Sequence, residues 1–213
     1  MIEIDNVSFS YDDNEILNQV SFKIKKGSFV GIVGENGSGK TTLLKLILGL
    51  EKPFRGSITV SKEDIVAYVR QTSTGEEGNF PASVEEAVTL GTLQGKAVFL
   101  PKESHALVAK AMKETGLDGY QKRIFGELSG GFKQRVKIAM ALVQNPSILI
   151  LDEPMSGLDE KARLGLLGLI DSLRKRDIGI LMVTHRRDDL RNADEIYRLS
   201  DGELKKELHD API

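Results

Sequence analysis

Gly34-Glu35-Asn36-Gly37-Ser38-Gly39-Lys40-Thr41 is the stretch that decides the fold. It follows the compact apolar run of residues 29–33, which indicates a buried strand, and it precedes residues 43–50, whose spacing of leucines predicts a helix. In this order, successive backbone N–H groups and the positive end of the helix dipole converge on one place and attract an anion. Glycine allows the positive φ angles that such a loop needs. The stretch therefore predicts an α/β fold with a phosphate-binding loop.

A second glycine-rich stretch, Leu128-Ser129-Gly130-Gly131-Phe132-Lys133-Gln134-Arg135, follows about ninety residues later. Ser129, Gly130 and Gly131 precede a predicted helix, so they form another anion site at the positive end of a dipole. A predicted helical insertion carries them away from the first loop, so they cannot easily serve a phosphate held there. We expect each chain to supply one half of two sites, which close only when two such chains meet.

Strand and helix signals divide the chain into a core and an insertion. Alternating β-branched and aromatic residues predict N-terminal strands, and we expect this β part to be antiparallel. After residue 145, buried strands joined by helices predict a mainly parallel sheet. The middle of the chain has little strand signal, and it contains three predicted helices at residues 84–90, 104–115 and 131–143. We therefore predict one domain, made of a core of residues 1–71 and 146–213 and a helical subdomain of residues 72–145 that carries the second glycine-rich stretch.

Composition excludes several classes of protein. The 213 residues contain no cysteine, so disulfides and thiol chemistry are excluded, and three scattered histidines argue against a structural zinc site. A net charge of −2 gives no sign of a nucleic-acid-binding tail. No apolar run approaches the roughly 20 residues of a membrane span, and the acidic N-terminus lacks a signal-peptide core. We expect a soluble, intracellular protein, and any membrane process that it serves needs another chain in the bilayer.

Two carboxylates follow the apolar run of residues 148–151, and they complete a chemical site. Ligands of an open α/β sheet bind at the carboxyl ends of its strands, where Asp152 and Glu153 are expected. Asp152 and the hydroxyl of Thr41 can hold Mg²⁺, while Lys40 reaches the β- and γ-phosphates of a nucleotide. Glu153 can polarise a water beside the γ-phosphate. The sequence thus predicts hydrolysis of a nucleoside triphosphate.

The chain resembles the ATP-binding subunit of an ABC (ATP-binding cassette) transporter almost from end to end. Its motifs occur in the order that is usual in that family. The matching stretches are residues 34–42 (Walker A), 128–134 (signature motif), 148–153 (Walker B) and 156–159 (D-loop). The matching single residues are Tyr11 (stacking on adenine), Gln71 (Q-loop), Glu153 (catalytic glutamate) and His185 (switch histidine). The signature motif is the most specific of these, because other phosphate-loop enzymes lack it.

The resemblance implies that ATP and Mg²⁺ bind between two facing cassettes. It assigns nucleotide binding to Tyr11, Gly34, Asn36, Gly37, Ser38, Gly39, Lys40, Thr41, Thr42, Ser129, Gly130 and Gly131. It assigns catalysis to Glu153, His185, Lys40 and Gln71, and the metal to Thr41, Gln71 and Asp152. The γ-phosphate would bridge the two chains, and its hydrolysis would let them separate. The two chains can be identical or different, so a homodimer and a heterodimer both remain open.

The resemblance implies that the partner is a transmembrane permease and that no nucleic acid is bound. The chain would lie on the cytoplasmic face of the cell membrane, held there by the permease. Residues 80–88 resemble those of subunits that serve zinc or manganese importers. We interpret the chain as an ATP-binding and ATP-hydrolysing subunit that powers transport through that partner by ATP-dependent dimerisation. The alternative is a non-transport ABC ATPase of the cell-division type, also coupled to a membrane protein. A regulatory module without catalysis is disfavoured, because every catalytic position is filled.

Overall fold

The structure, a computed structural model, describes residues 1–71, 81–93 and 104–207. Its strands are β1 (Ile2–Tyr11), β2 (Asn14–Ile24), β3 (Phe29–Val33), β4 (Arg55–Val60), β5 (Val66–Val69), β6 (Ile148–Asp152), β7 (Gly179–Thr184), β8 (Glu195–Ser200) and β9 (Glu203–Glu207). Its α-helices are α1 (Lys40–Ile47), α2 (Val84–Leu90), α3 (Ser104–Glu114), α4 (Gly130–Leu142) and α5 (Glu160–Arg174). None of the helices in this described part of the chain combines the length and the apolar character that crossing a bilayer requires.

The central sheet has six strands in the order β5-β6-β7-β3-β8-β9. Its first five strands run parallel, and only β9 pairs antiparallel with β8. Every residue of β3, β6 and β7 is buried, as expected for central strands of a parallel sheet that is covered on both faces. The predicted mainly parallel sheet is confirmed.

A smaller antiparallel sheet, in the order β2-β1-β4, confirms the predicted N-terminal β part. This sheet and α1 cover one face of the central sheet, where Ile32, Ile150 and Val183 belong to the same apolar cluster as Leu17 and Leu43. The alternate residues of the central strands face a second apolar cluster, which contains residues of α2, α3, α4 and α5. The strand period of two thus sends neighbouring side chains into opposite layers.

Three helices lie between β5 and β6, where the sequence predicts the helical subdomain. Their bounds agree with the predicted helices to within one residue at each end. Ser83 begins α2 with a capping box, in which its hydroxyl accepts from the backbone N–H of Glu86 and the Glu86 carboxylate accepts from Ser83. Residues 72–80 and 94–103 of the predicted subdomain lie outside the described residues.

Candidate active site

The candidate site lies at the carboxyl ends of three adjacent strands, β6, β7 and β3. The glycine-rich loop follows β3, Asp152 and Glu153 stand at the end of β6, and His185 comes directly after β7. Because parallel strands end at the same edge, the sheet brings together groups that are far apart in sequence. Lys40, Glu153 and His185 meet here as the sequence predicts.

The glycine-rich loop has the backbone conformation that a phosphate cradle needs. Gly37 and Gly39 have φ angles of 84° and 99°, which other residues rarely adopt. Apart from its two chain neighbours, no described residue has an atom within 4 Å of the place where a Cβ of Gly37 would stand, so the loop is open on that side. The Ser38 hydroxyl oxygen is buried without a hydrogen-bond partner among the described residues. An anion with several acceptor oxygens suits this loop, because buried polar atoms are normally paired.

Lys40 is the first residue of α1, and its ammonium folds back over the loop. Its Nζ donates to the carbonyl oxygens of Gly34 at 2.7 Å and Glu35 at 2.8 Å. Burial lowers the pKa of Lys40, and the charges of Glu153 and Asp152 oppose that shift. A cation held beside the loop's amide groups is well placed to neutralise phosphate charge.

Asp152 and Glu153 are both buried, with 7% and 9% of their surfaces exposed. The Tyr68 hydroxyl donates to Asp152 Oδ2 at 2.9 Å, and Lys40 Nζ lies 4.0 Å from Glu153 Oε1. Burial raises the pKa of the Asp152 carboxyl, while the Tyr68 hydrogen bond and the charge of Lys40 lower it. The chemistry of this group fits Mg²⁺, which prefers carboxylate and hydroxyl oxygens. The carboxylate of Asp152 therefore has the chemistry to hold the cation, and the role of Thr41 stays a prediction.

The Glu153 side chain also contacts His185. Its Oε2 lies 2.8 Å from His185 Nδ1, so an ionised Glu153 accepts a hydrogen bond from Nδ1–H, and Nε2 is left available. Glu153 has a φ of 48°, in the left-handed region, and its backbone N–H donates to Val183 at 3.0 Å. Such a conformation costs on the order of 1 kcal/mol for a residue with a Cβ. Strain of this kind is often found at active sites, and here it fixes where the carboxylate stands.

The second glycine-rich stretch begins α4 away from the first loop. Ser129 is the N-cap residue, it is exposed, and its hydroxyl makes no capping hydrogen bond. A Cβ added at Gly131 would stand 2.8 Å from the Cβ of Ala162, and one at Gly130 would stand 3.3 Å from Leu158. Within the described ranges, no hydrogen bond joins Ser129 to the loop of residues 34–41. The stretch is thus packed against the start of α5, and its hydroxyl is exposed.

Gln71 and Tyr11 lie at the margins of the site. Gln71 is exposed just beyond β5, whose last residue, Val69, pairs with Leu151 of β6. Tyr11 ends β1 with 39% of its surface exposed, and Lys45 Nζ of α1 lies 3.4 Å from its hydroxyl. A cleft of about 500 Å³ beside the loop is lined by Glu15, Ile16, residues 34–38 and residues 198–202. None of these groups touches the Glu153 carboxylate among the contacts of the described residues.

Tyr68 is the site residue that the sequence interpretation misses. A tyrosine inside a short apolar strand indicates only a core position. Its contact with Asp152 depends on β5 lying next to β6 in parallel register, with Tyr68 opposite Ile150. The order of strands in a sheet is not visible in the local pattern of any one of them, so no signal in the sequence alone identifies this contact.

These features define a phosphate-loop nucleoside triphosphatase, and comparisons with known proteins specify its family. Residues 17–156 match the family described as "ABC transporter". The zinc uptake system ATP-binding protein ZurA of Listeria innocua is 40% identical over 87% of this chain and 76% of its own length. The high-affinity zinc uptake system ATP-binding protein ZnuC of Bacillus subtilis is 35% identical over 95% of this chain and 92% of its own length. The dimeric structure of MJ0796, a bacterial ABC transporter cassette, superposes with a TM-score of 0.78 at 28% identity. The match covers 99% of this chain and 100% of that chain.

The chain belongs to the ABC transporter family. It is an ATP-binding and ATP-hydrolysing subunit of the kind that powers transport through a separate membrane partner. The predicted family, fold class and ATPase activity are confirmed, and none of these comparisons favours the cell-division alternative. The roles of individual site residues remain predictions.

Proposed function

We propose that two cassettes bind two ATP molecules between them, with the phosphate loop of one facing Ser129 of the other. The exposed Ser129 hydroxyl and the N-terminus of α4 support this arrangement, since Ser129 makes no side-chain capping hydrogen bond in the described part of the chain and this end of a helix favours an anion. Gly130 and Gly131 are packed against the start of α5, which holds this anion site in a fixed place. MJ0796, a bacterial ABC transporter cassette of the same fold, has a dimeric structure, which supports the pairing of two cassettes.

Catalysis in this proposal depends on Glu153, whose position is the observation that carries the function. Its carboxylate lies 2.8 Å from His185 and 4.0 Å from Lys40 at the ligand edge of the sheet. Glu153 orients and polarises the attacking water, Lys40 holds the β- and γ-phosphates, and His185 contacts the γ-phosphate. Gln71 contacts the metal and responds to the γ-phosphate, and Tyr11 stacks on adenine. Mg²⁺, held by Thr41 and Asp152, would neutralise phosphate charge.

The cargo that we propose is a transition-metal ion, imported through a permease on the cytoplasmic side of the membrane. The zinc uptake relatives support this assignment, as do residues 80–88, of which Phe80 lies outside the described residues. The helical subdomain predicted for residues 72–145 would receive the permease.

Reconstitution with the permease tests this function. The cassette is co-purified with the membrane protein that it binds and is placed in vesicles that contain ATP on the cassette side. We expect uptake of Zn²⁺ or Mn²⁺ that needs ATP and stops with Glu153→Gln. Uptake of neither metal, with ATPase activity intact, would contradict the cargo assignment and leave the ATPase assignment standing. Full ATPase activity in Glu153→Gln would contradict the catalytic assignment.

A further inference from the structure

Tyr68 ties the strand β5 to the acidic end of β6. Its hydroxyl donates to Asp152 Oδ2 at 2.9 Å, and Asp152 is only 7% exposed. Tyr68 stands opposite Ile150 in the parallel pairing, two residues before Asp152, so its side chain reaches forward along the neighbouring strand. The ring packs against the apolar cluster that contains Ile148 and Ile150. The surrounding packing therefore fixes the position of the hydroxyl.

The hydrogen bond restrains a carboxylate that would otherwise rotate. The terminal torsion of an aspartate has a broad, roughly two-fold energy profile, so the side chain alone does not select an orientation. Donation from Tyr68 to Oδ2 selects one orientation, in which Oδ1 remains available to another partner. Groups that hydrogen-bond a metal-ligating carboxylate commonly orient it in this way.

We propose that Tyr68 is a positioning residue for the divalent cation, which it serves by holding the Asp152 carboxylate in the orientation that binds metal. The inference rests on the proposed assignment of Asp152 to Mg²⁺. It goes beyond that assignment by naming a residue on a different strand that sets the metal affinity. Tyr68 precedes Gln71 by three residues, so the same contact links the strand that leads to Gln71 with the metal-binding end of β6.

The test compares Tyr68→Phe with a matched control. Tyr68→Phe removes the hydroxyl and keeps the ring. Tyr197→Phe does the same on β8, where the Tyr197 hydroxyl donates to Glu195 at 2.6 Å and the ring packs on the same apolar cluster. Mn²⁺ serves as the probe, and its binding to the ATP-loaded protein is measured by electron paramagnetic resonance. ATP affinity is measured separately in EDTA, and thermal unfolding verifies that each variant is folded.

We expect Tyr68→Phe to bind Mn²⁺ roughly 10-fold more weakly, with a changed spectrum and unchanged ATP affinity in EDTA, because loss of such an outer partner costs about 10–100-fold in metal affinity. Tyr197→Phe should match the unmodified protein in Mn²⁺ affinity, in the spectrum and in ATP affinity in EDTA. Unchanged Mn²⁺ affinity in Tyr68→Phe contradicts the inference. An equal loss of ATP affinity in EDTA also contradicts it, because that result indicates general damage to the site.

Asp152→Asn separates this inference from the proposed function. If Asp152→Asn weakens Mn²⁺ binding and Tyr68→Phe does not, the role of Tyr68 is wrong and the metal assignment stands. If neither variant weakens it, both are wrong. If Tyr68 acts through Asp152, adding Tyr68→Phe to Asp152→Asn should produce no further loss of Mn²⁺ affinity. A further full loss in the double variant would show that Tyr68 acts by another route.

Discussion

At the residue scale, the site depends on three polar contacts, in which the buried carboxylates of Asp152 and Glu153 take part. Glu153 contacts both His185 and Lys40, and Asp152 accepts from Tyr68. The low dielectric of a buried site strengthens these interactions and fixes the geometry before a ligand arrives. Glu153 and Asp152 are neighbours in sequence, yet they contact different partners, since Asp152 ends β6 and Glu153 follows it with a left-handed backbone.

Replacing Glu153 with glutamine tests its role as the residue that activates water. Glu153→Gln keeps the shape and removes the base, so we expect kcat for ATP hydrolysis to fall about 10²–10⁴-fold. ATP affinity should change little, since the proposed role is exercised in the transition state. Single-turnover hydrolysis and equilibrium ATP binding measure the two quantities. A fall of less than 10-fold in kcat would remove Glu153 from this role.

Asp152 should lower the stability of the metal-free protein at neutral pH. Burial raises its pKa in the folded state, so the folded state binds more protons than the unfolded state between the unfolded value of 3.8 and the raised value. The free energy of unfolding contributed by this group therefore falls as pH rises through that window. We expect Asp152→Asn to be more stable than the unmodified protein at pH 7 in EDTA, and the difference should shrink as pH falls. A constant difference across pH would contradict this account.

Residue patterns predict most of these groups, but they do not predict all of their contacts. Lys40, Asp152 and His185 each follow or precede a strongly apolar segment, so the pattern alone places them at strand or helix ends. The contact between Glu153 and His185 requires β6 and β7 to be neighbours, and the left-handed backbone at Glu153 has no marker in the sequence. Contacts of this kind follow from strand order, which is a property of the whole sheet.

At the element scale, α5 contains two glycines that have different surroundings. A Cβ at Gly165 would stand 2.9 Å from the guanidinium of Arg135, which reaches across from α4 and donates to the Gly165 carbonyl at 3.4 Å. Beyond the backbone of α5 itself, no atom of the residues that the structure describes lies within 4 Å of a Cβ at Gly168. Close packing between α4 and α5 therefore explains the first glycine, and the structure gives no reason for the second.

The two glycines should respond differently to alanine. Gly168→Ala should raise the free energy of unfolding by about 0.5–1 kcal/mol, because glycine in a helix interior is that much less favourable than alanine. Gly165→Ala should raise the free energy of unfolding by less, because Arg135 must move and its hydrogen bond to the Gly165 carbonyl is lost. Urea denaturation of both variants measures the difference. Equal gains would contradict the packing that we describe between these helices.

A buried ion pair joins α5 to the segment after His185. Arg163 of α5 and Asp189 are 4% and 3% exposed, and their side chains are in contact. Thr184 is the residue before His185, and its hydroxyl donates to the other carboxylate oxygen of Asp189 at 3.0 Å. This network connects the helix that follows the D-loop with the histidine at the site.

Breaking this ion pair should destabilise the fold. Asp189→Ala leaves Arg163 buried without its carboxylate, and loss of one partner of a buried pair costs about 3–5 kcal/mol. Asp188→Ala is the control, because Asp188 is its exposed neighbour and should change stability by about 0.5 kcal/mol or less. Chemical denaturation gives both values. A loss below about 1 kcal/mol in Asp189→Ala would mean that water or another group replaces the carboxylate.

At the scale of the whole molecule, the two glycine-rich stretches of one chain lie on different elements of the fold. The phosphate loop extends from β3 into α1, while Ser129 begins α4 beside the start of α5. The sequence predicts this separation, since an insertion of helices lies between the two motifs. It does not predict that the helices of the insertion share an apolar cluster with the central sheet, because that depends on which faces meet.

Crosslinking in the presence of ATP tests the central claim, which is that ATP joins two cassettes through these separated sites. The chain has no cysteine, so an introduced pair is the only source of a disulfide. Tagged Asn36→Cys and untagged Ser129→Cys chains, both carrying Glu153→Gln, are mixed and oxidised. The account predicts a mixed disulfide-linked dimer that forms with ATP and Mg²⁺ and not without them. Absence of that dimer with ATP, or equal yield without ATP, would contradict it.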